Sequence, residues 1–321
     1  MKTHVTLTAV ALALAVTGCS GDGAPGAAAR DATQSVCGPV PDALTLPNGF
    51  CATVFHEGVG PARHVTVSPG GDVWVALSGP GEDGFTIVGL RDSDGDGTAD
   101  EEQRFGSVGG SGVLLRDGWL YFAANDHVMR YPMAAGALTP SGDPETLVEG
   151  LPTGGHGAKS LAFAPDGHLL VNIGSRSNAC QQETRTAGSP GQDPCPELPE
   201  RAGVWAFDAD AVGQTGEDGA RFATGLRNAF ALAAHPTSGQ VYAVVHGRDQ
   251  LHTLWPELFT EEQSAEKPAE EFVAIDEGDD FGWPYCFYDP DGQRKVLAPE
   301  YGGDGIRKGR CERARDPLIG F

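Results

Sequence analysis

Pro69-Gly70-Gly71-Asp72 runs directly into Val73-Trp74-Val75-Ala76, and just before it stands His64-Val65-Thr66-Val67-Ser68. Glycine and aspartate supply the positive φ of a tight turn, while β-branched and aromatic residues suit a pleated strand, so this stretch reads as a hairpin. The same order returns at Asp117-Gly118 before Trp119-Leu120-Tyr121-Phe122-Ala123. It returns again at Pro165-Asp166-Gly167 before Leu169-Leu170-Val171-Asn172, and at Pro236-Thr237-Ser238-Gly239 before Val241-Tyr242-Ala243-Val244. Ser160-Leu161-Ala162-Phe163-Ala164 repeats the apolar strand ahead of the third turn. The units recur roughly every 45 to 70 residues, in the range of propeller blades, and no long helical stretch interrupts them. A β-sandwich also repeats hairpins, but apolar strand, Pro/Asp-Gly turn, apolar strand is the order of the inner half of a blade.

The fold class is therefore all-β, a propeller. About four such units fit before the apolar end Asp316-Pro317-Leu318-Ile319-Gly320-Phe321, whereas a propeller must close its ring or leave sheet edges bare. The expectation is a partial propeller over 37–321 that lacks its last blades.

The chain has 321 residues, 46 of them glycine and 23 proline, and is 40% hydrophobic, too apolar for a disordered chain. Lys and Arg total 22 against 44 Asp and Glu, a net charge of −22 that repels phosphate backbones and excludes nucleic acid as a partner. The N-terminus carries Lys2, an apolar run from Val5 to Val16, and then Val16-Thr17-Gly18-Cys19. That is a secretory signal over 1–19 ending in a lipobox, with lipid expected on Cys19 and the membrane reached through that anchor alone. Plain signal cleavage, with Cys19 incidental, is the alternative. Ser20 after the cysteine resembles an outer-membrane sorting signal, which places the body in the cell envelope on the periplasmic side. Residues 20–36 are Gly, Ala and polar residues without periodicity, a flexible tether.

Seven cysteines less Cys19 leave an even number in an exported chain, which suggests disulfides. They fall into close pairs along the chain, predicting Cys37–Cys51, Cys180–Cys195 and Cys286–Cys311. None of the spacings resembles a zinc knuckle. Asp92, Asp94, Asp96 and Asp100, with a glycine at the sixth position, form an EF-hand-like run that predicts a structural calcium loop. The usual Glu at the twelfth position is replaced by Gln103, and the alternative is an acidic surface turn.

Gly154-Gly155-His156-Gly157-Ala158-Lys159 places a histidine, a side chain able to act as general base near neutral pH, in a loop that glycine lets bend. Gly225-Leu226-Arg227-Asn228 adds an arginine whose fork of donors suits carboxylate or quinone oxygens. Together with Leu46-Pro47-Asn48-Gly49-Phe50, Gly174-Ser175-Arg176-Ser177-Asn178, His235-Pro236 and Phe281-Gly282-Trp283-Pro284-Tyr285, these motifs resemble the pyrroloquinoline-quinone (PQQ)-dependent glucose/sorbosone dehydrogenase family over about Leu46 to Tyr285. The resemblance implies a six-bladed propeller, PQQ held with Ca²⁺ at its mouth, and oxidation of an aldose or sorbosone-like sugar. It implies His156 as general base, Arg227 and Asn228 on the quinone with Arg227 also stabilising its charge, and Lys159, where the family often has a basic residue, as a further cofactor-binding residue. His246-Gly247-Arg248-Asp249 resembles the loop whose backbone carbonyls, here those of Gly247 and Arg248, hold the cofactor calcium, with Asp249 near the substrate mouth and expected among the cofactor-binding residues. His246 departs from the acidic or amide residue common there, and further basic residues for the cofactor carboxylates would lie beyond Phe321. Electrons would pass to an acceptor that the sequence does not name. A lipid-anchored propeller that binds a glycan or a partner protein without redox chemistry is the competing reading. A calcium-dependent lactonase is disfavoured, because no set of carboxylate and Asn ligands recurs once per blade.

Overall fold

The structure, a computed structural model, describes residues 44–266 and 269–321. The signal segment, Cys19, the tether and Cys37, and with Cys37 the Cys37–Cys51 pairing, lie outside the described residues.

Strands β1 (Ala62–Val67), β2 (Val73–Leu77), β3 (Ile87–Arg91) and β4 (Glu101–Phe105) form the first antiparallel sheet in simple meander order. The second is β5 (Gly110–Arg116), β6 (Trp119–Ala124), β7 (Val128–Pro132) and β8 (Glu145–Glu149). The third holds β9 (Leu161–Phe163), β10 (Leu169–Ile173) and β11 (Gly203–Phe207). A short β12 (Gln214–Thr215) then leaves to pair in parallel with β8, before β13 (Ala220–Thr224) completes the third sheet. The fourth is β14 (Ala229–Ala234), β15 (Val241–Val245) and β16 (Glu271–Ile275). From there the chain makes a long excursion through β17 (Asp279–Asp280) and the hairpin of β18 (Cys286–Asp289) and β19 (Arg294–Leu297). It returns as β20 (Ile319–Gly320), the fourth strand on β16, while β17 pairs in parallel with β13. Each of the four Gly-rich turns read from the sequence joins the first and second strands of a sheet. The described residues thus form four blades of a β-propeller, with only two short α-helices, α1 (Leu251–Leu254) and α2 (Glu261–Glu266).

Strand alternation explains the packing. On β6, Leu120, Phe122 and Ala124 join Trp74, Ala76 and Ile87 of the first blade, while Tyr121 and Ala123 face the third. On β10, Leu169, Val171 and Ile173 meet the second blade, and Leu170 meets Val241, Ala243 and Val273 of the fourth. A strand sandwiched between two blades buries both faces, so its sequence is a continuous apolar run rather than an alternating one. At about 25 cal/mol per Å² of apolar surface, these inter-blade layers are the main stabilising element of the fold.

Candidate functional site

Antiparallel pairing brings the start of an inner strand beside the end of its neighbour. The loop before β9, which carries His156, therefore lies against the loop after β10, and the loop before β14, which carries Arg227 and Asn228, lies against that after β15. Backbone bonds tie these loops together: His156 N–H donates to Ser175 O at 3.0 Å, Ser175 N–H to Arg227 O at 2.8 Å, and His246 N–H to Asn228 O at 3.0 Å. The Cα of Gly174 sits where a side chain does not fit, since a Cβ there would stand 2.6 Å from both Cβ and the carbonyl oxygen of His156.

His156 Nδ1 lies 3.0 Å from Ser175 O and 2.9 Å from Ser175 Oγ. The carbonyl only accepts, and the hydroxyl proton of Ser175 is already donated to Ser177 O at 2.7 Å. These acceptors place the ring proton on Nδ1 and leave Nε2 as a free lone pair. Burial, reinforced by the nearby Arg227 charge, lowers the imidazole pKa to about 4, so the ring is neutral at physiological pH.

Arg227 is buried and donates from Nε to Asn178 O at 3.3 Å, and its Nη2 lies 3.5 Å from Asp249 Oδ1. Burial lowers the guanidinium pKa to about 10 against the opposing pull of Asp249, which leaves it charged at neutral pH. Asp249 also faces Arg185, at 3.2 and 3.3 Å. Asn178 is the hub: its amide donates to Asp249 O at 2.9 Å and accepts from Asp249 N–H at 3.3 Å, and its carbonyl accepts Trp283 Nε1–H at 2.9 Å. Two residues on, Cys180 is bridged to Cys195, with the Cα atoms 6.1 Å apart, and Cys286 is bridged to Cys311, both as read from the sequence.

His156, Arg227, Asn228 and Asp249 thus come together. Lys159 is fully buried and donates to the carbonyls of Gly157 at 2.7 Å and Pro152 at 3.1 Å; burial, more than the Arg201 charge, lowers its pKa to about 8. Among the described residues it makes no hydrogen bond to His156, Arg227 or Asn228, and its place is the base of the His156 loop. Gly247 N–H donates to Glu270, and Arg248 forms a buried pair with Glu300. In the acidic run, carboxylate oxygens of Asp92, Asp94 and Asp100 lie within 4.8 Å of one another. Asp96 stands outside that group, its carboxylate accepting Thr98 N–H at 2.8 Å. Sequence reading passed over the roles of Ser175, Asn178 and Trp283, although all three stand inside the quoted motifs, and it had no signal for Arg185 or Glu300.

The PQQ domain of pyranose dehydrogenase from Coprinopsis cinerea, in its holo form, superposes with a TM-score of 0.69 at 16% identity, over 88% of this chain and 70% of that one. A calcium structure of the Trichoderma reesei Carbohydrate-Active Enzymes Family AA12 protein gives 0.64 at 17% identity, over 83% and 69%. The PQQ-bound aldose sugar dehydrogenase of Streptomyces coelicolor gives 0.52 at 19% identity, over 84% and 70%. At these identities the likeness shows the fold, that of PQQ-dependent sugar oxidoreductases, in agreement with the motif resemblance. No curated protein matches the chain. The TrAA12-like family model matches residues 44–296, most of the described propeller, and the chain belongs to the TrAA12-like family.

Proposed function

We propose that the protein is a PQQ- and calcium-dependent dehydrogenase that oxidises the CH–OH group of an aldose or sorbosone-like sugar. The observation that carries this reading is a neutral imidazole with a free Nε2 held beside a buried, charged Arg227. Two features fit the cofactor. Asn228 Oδ1 is buried without a hydrogen-bond partner, an orphan acceptor that a bound group would satisfy. Among the described residues the carbonyls of Gly247 and Arg248 accept no hydrogen bond and are free for a hard cation.

Arg227 and Asn228 would hold the quinone, and the Gly247 and Arg248 carbonyls the calcium. Bound there, the quinone supplies a two-electron acceptor for the hydride of the sugar carbon, with calcium as a Lewis acid beside it. His156 Nε2 takes the proton of the sugar hydroxyl, so that C–H and O–H are lost together and a C=O remains. Ser175 holds the other ring nitrogen and keeps the base in the reactive tautomer. Arg227 offers a fixed positive charge to oxygen that gains electrons, in a site where burial strengthens it. Arg185 and Asp249, paired with each other and partly exposed next to Arg227, would meet sugar hydroxyls. The electrons leave to an acceptor of unnamed chemistry.

The membrane is reached through lipid on Cys19, at the periplasmic side of the outer membrane; among the described residues no helix is long and apolar enough to cross a bilayer. Replacing Cys19 by Ser should release the protein from membranes.

The test of the function is a PQQ titration with calcium, followed by quinone absorbance, and then turnover of aldoses with an artificial electron acceptor. Uptake of the quinone, weakened about tenfold or more in Arg227→Ala, is the expected result. A protein that takes up no quinone in calcium overturns the reading and favours the binding module.

A further inference from the structure

The excursion between β16 and β20 contains two 3₁₀ turns, and the first of them, Pro299–Tyr301, touches both loops framing the site. Glu300 is fully buried in its side chain and receives Arg248 through two bonds, Nη1 to Oε2 at 2.6 Å and Nη2 to Oε1 at 2.9 Å. Trp255 Nε1–H donates to the same carboxylate at 2.9 Å. The Glu300 carbonyl accepts Gly191 N–H at 2.8 Å, and Tyr301 Oη reaches Ala179 O, just before the disulfide-bridged loop, at 3.3 Å and Gln192 O, within it, at 3.4 Å. That loop comes in so close that a Cβ on Gly191 would fall 2.2 Å from the Tyr301 ring. The turn is itself braced from behind, because Leu297, just before it, packs with the Cys286–Cys311 bridge.

Arg248 lies between the two residues that matter most on its loop. Gly247 is fixed by its N–H on Glu270, and Asp249 is held by both ends of the Asn178 amide while its carboxylate faces Arg227. A buried bidentate guanidinium–carboxylate pair defines angle as well as distance, which a single point charge does not. We infer that Glu300 is a positioning residue of the site: acting through Arg248, it sets the Gly247–Asp249 backbone, and with it both the carbonyls offered to calcium and the carboxylate that faces Arg227. Glu300 touches none of the reacting groups. The inference rests on the dehydrogenase reading for its ligand, though not for its geometry.

A purely structural pair and a positioning pair predict different results when both charges are removed together. Replacing a buried pair by apolar residues of similar volume restores or raises stability, because no charge is left unpaired. The double variant Arg248→Met with Glu300→Leu leaves the half-buried Trp255 Nε1–H without its acceptor but no charge unpaired, and should therefore stay folded with a melting temperature close to wild type while losing the bidentate geometry. Three measurements are made on the whole protein: the melting temperature, the calcium concentration needed for half-maximal PQQ uptake, and hydrogen exchange of the amides from 246 to 250. Glu300→Gln is carried alongside, and the double variant decides the matter if the single one fails to fold. The expected result is a double variant that is stable yet needs about tenfold more calcium, with amides 246 to 250 exchanging about tenfold faster. Wild-type calcium dependence and wild-type exchange in a stable double variant overturn the inference. If the wild-type protein itself takes up no PQQ, the dehydrogenase reading fails, and the exchange of amides 246 to 250 alone decides whether Glu300 positions this loop.

Discussion

His156 Nδ1 lies 2.9 Å from Oγ of Ser175, a hydroxyl whose own proton is committed to Ser177 O. This one relationship makes the imidazole a donor on one side and a base on the other.

Turnover should follow that base. Replacing His156 by Ala is expected to cut it by roughly a hundredfold or more, the scale of a lost general base, while quinone binding stays largely intact. Full turnover by the variant would remove His156 from the role.

The acid limb of kcat/KM should lie near pH 4, well below the ordinary histidine range, because burial and Arg227 both disfavour the protonated ring. The folded pKa is lower than the unfolded one, so between about pH 6.5 and pH 4 the unfolded chain binds the extra proton. His156 therefore reduces stability as the pH falls through that window and contributes nothing to pH dependence above it. Arg227→Gln should move the acid limb upward by removing one of the two causes; a pH profile unchanged in this variant would show that burial alone sets it.

Gly174→Ala tests the approach of the two loops. The new Cβ would meet Cβ and O of His156 at 2.6 Å, so the histidine loop must shift. Overpacking of this kind costs about 1 to 3 kcal/mol, read by denaturant unfolding, and turnover should fall with it. Wild-type stability together with wild-type kinetics would mean that the loops are not in contact in this way.

The Cys180–Cys195 bridge closes a loop of sequence separation 15 beside Asn178. On chain-entropy grounds its removal by Cys→Ser at both positions should cost about 3 kcal/mol in unfolding free energy. Because Asn178 carries the bonds that orient Arg227 and Asp249, PQQ affinity should fall too. Peptide mapping without reductant should recover the pair directly; Cys180 linked to any other cysteine would contradict it.

Calcium should raise the melting temperature through the Asp92, Asp94 and Asp100 group, whose oxygens already converge. Binding at a hundredfold excess over Kd adds about 2.7 kcal/mol. That part of the shift should vanish in Asp92→Asn, where the first residue of the loop, whose carboxylate accepts Gly95 and Gly97 N–H, loses its charge, and should persist in Asp96→Asn. Equal calcium responses in wild type and Asp92→Asn would leave the run as an acidic turn.

The blades were legible in the order of residues because their causes are local. A Gly-Asp turn and the β-branched strand beside it are decided within about ten positions, and burial on both faces writes itself as an unbroken apolar run such as Leu169-Leu170-Val171. The bridges 180–195 and 286–311 were legible for the same reason, being neighbours along the chain. His156, Arg227 and Asn228 were found through motifs, yet nothing in those motifs says that Ser175 sets the tautomer or that Lys159 turns to the carbonyls of its own loop. Asn178 meets Asp249 across 71 positions and Arg248 meets Glu300 across 52. Such pairs depend on how one blade is stacked on the next and on where the excursion after β16 folds back. Neither propensity nor spacing encodes that, because the energy of a buried ion pair or amide hub exists only once the surrounding chain has excluded water from it.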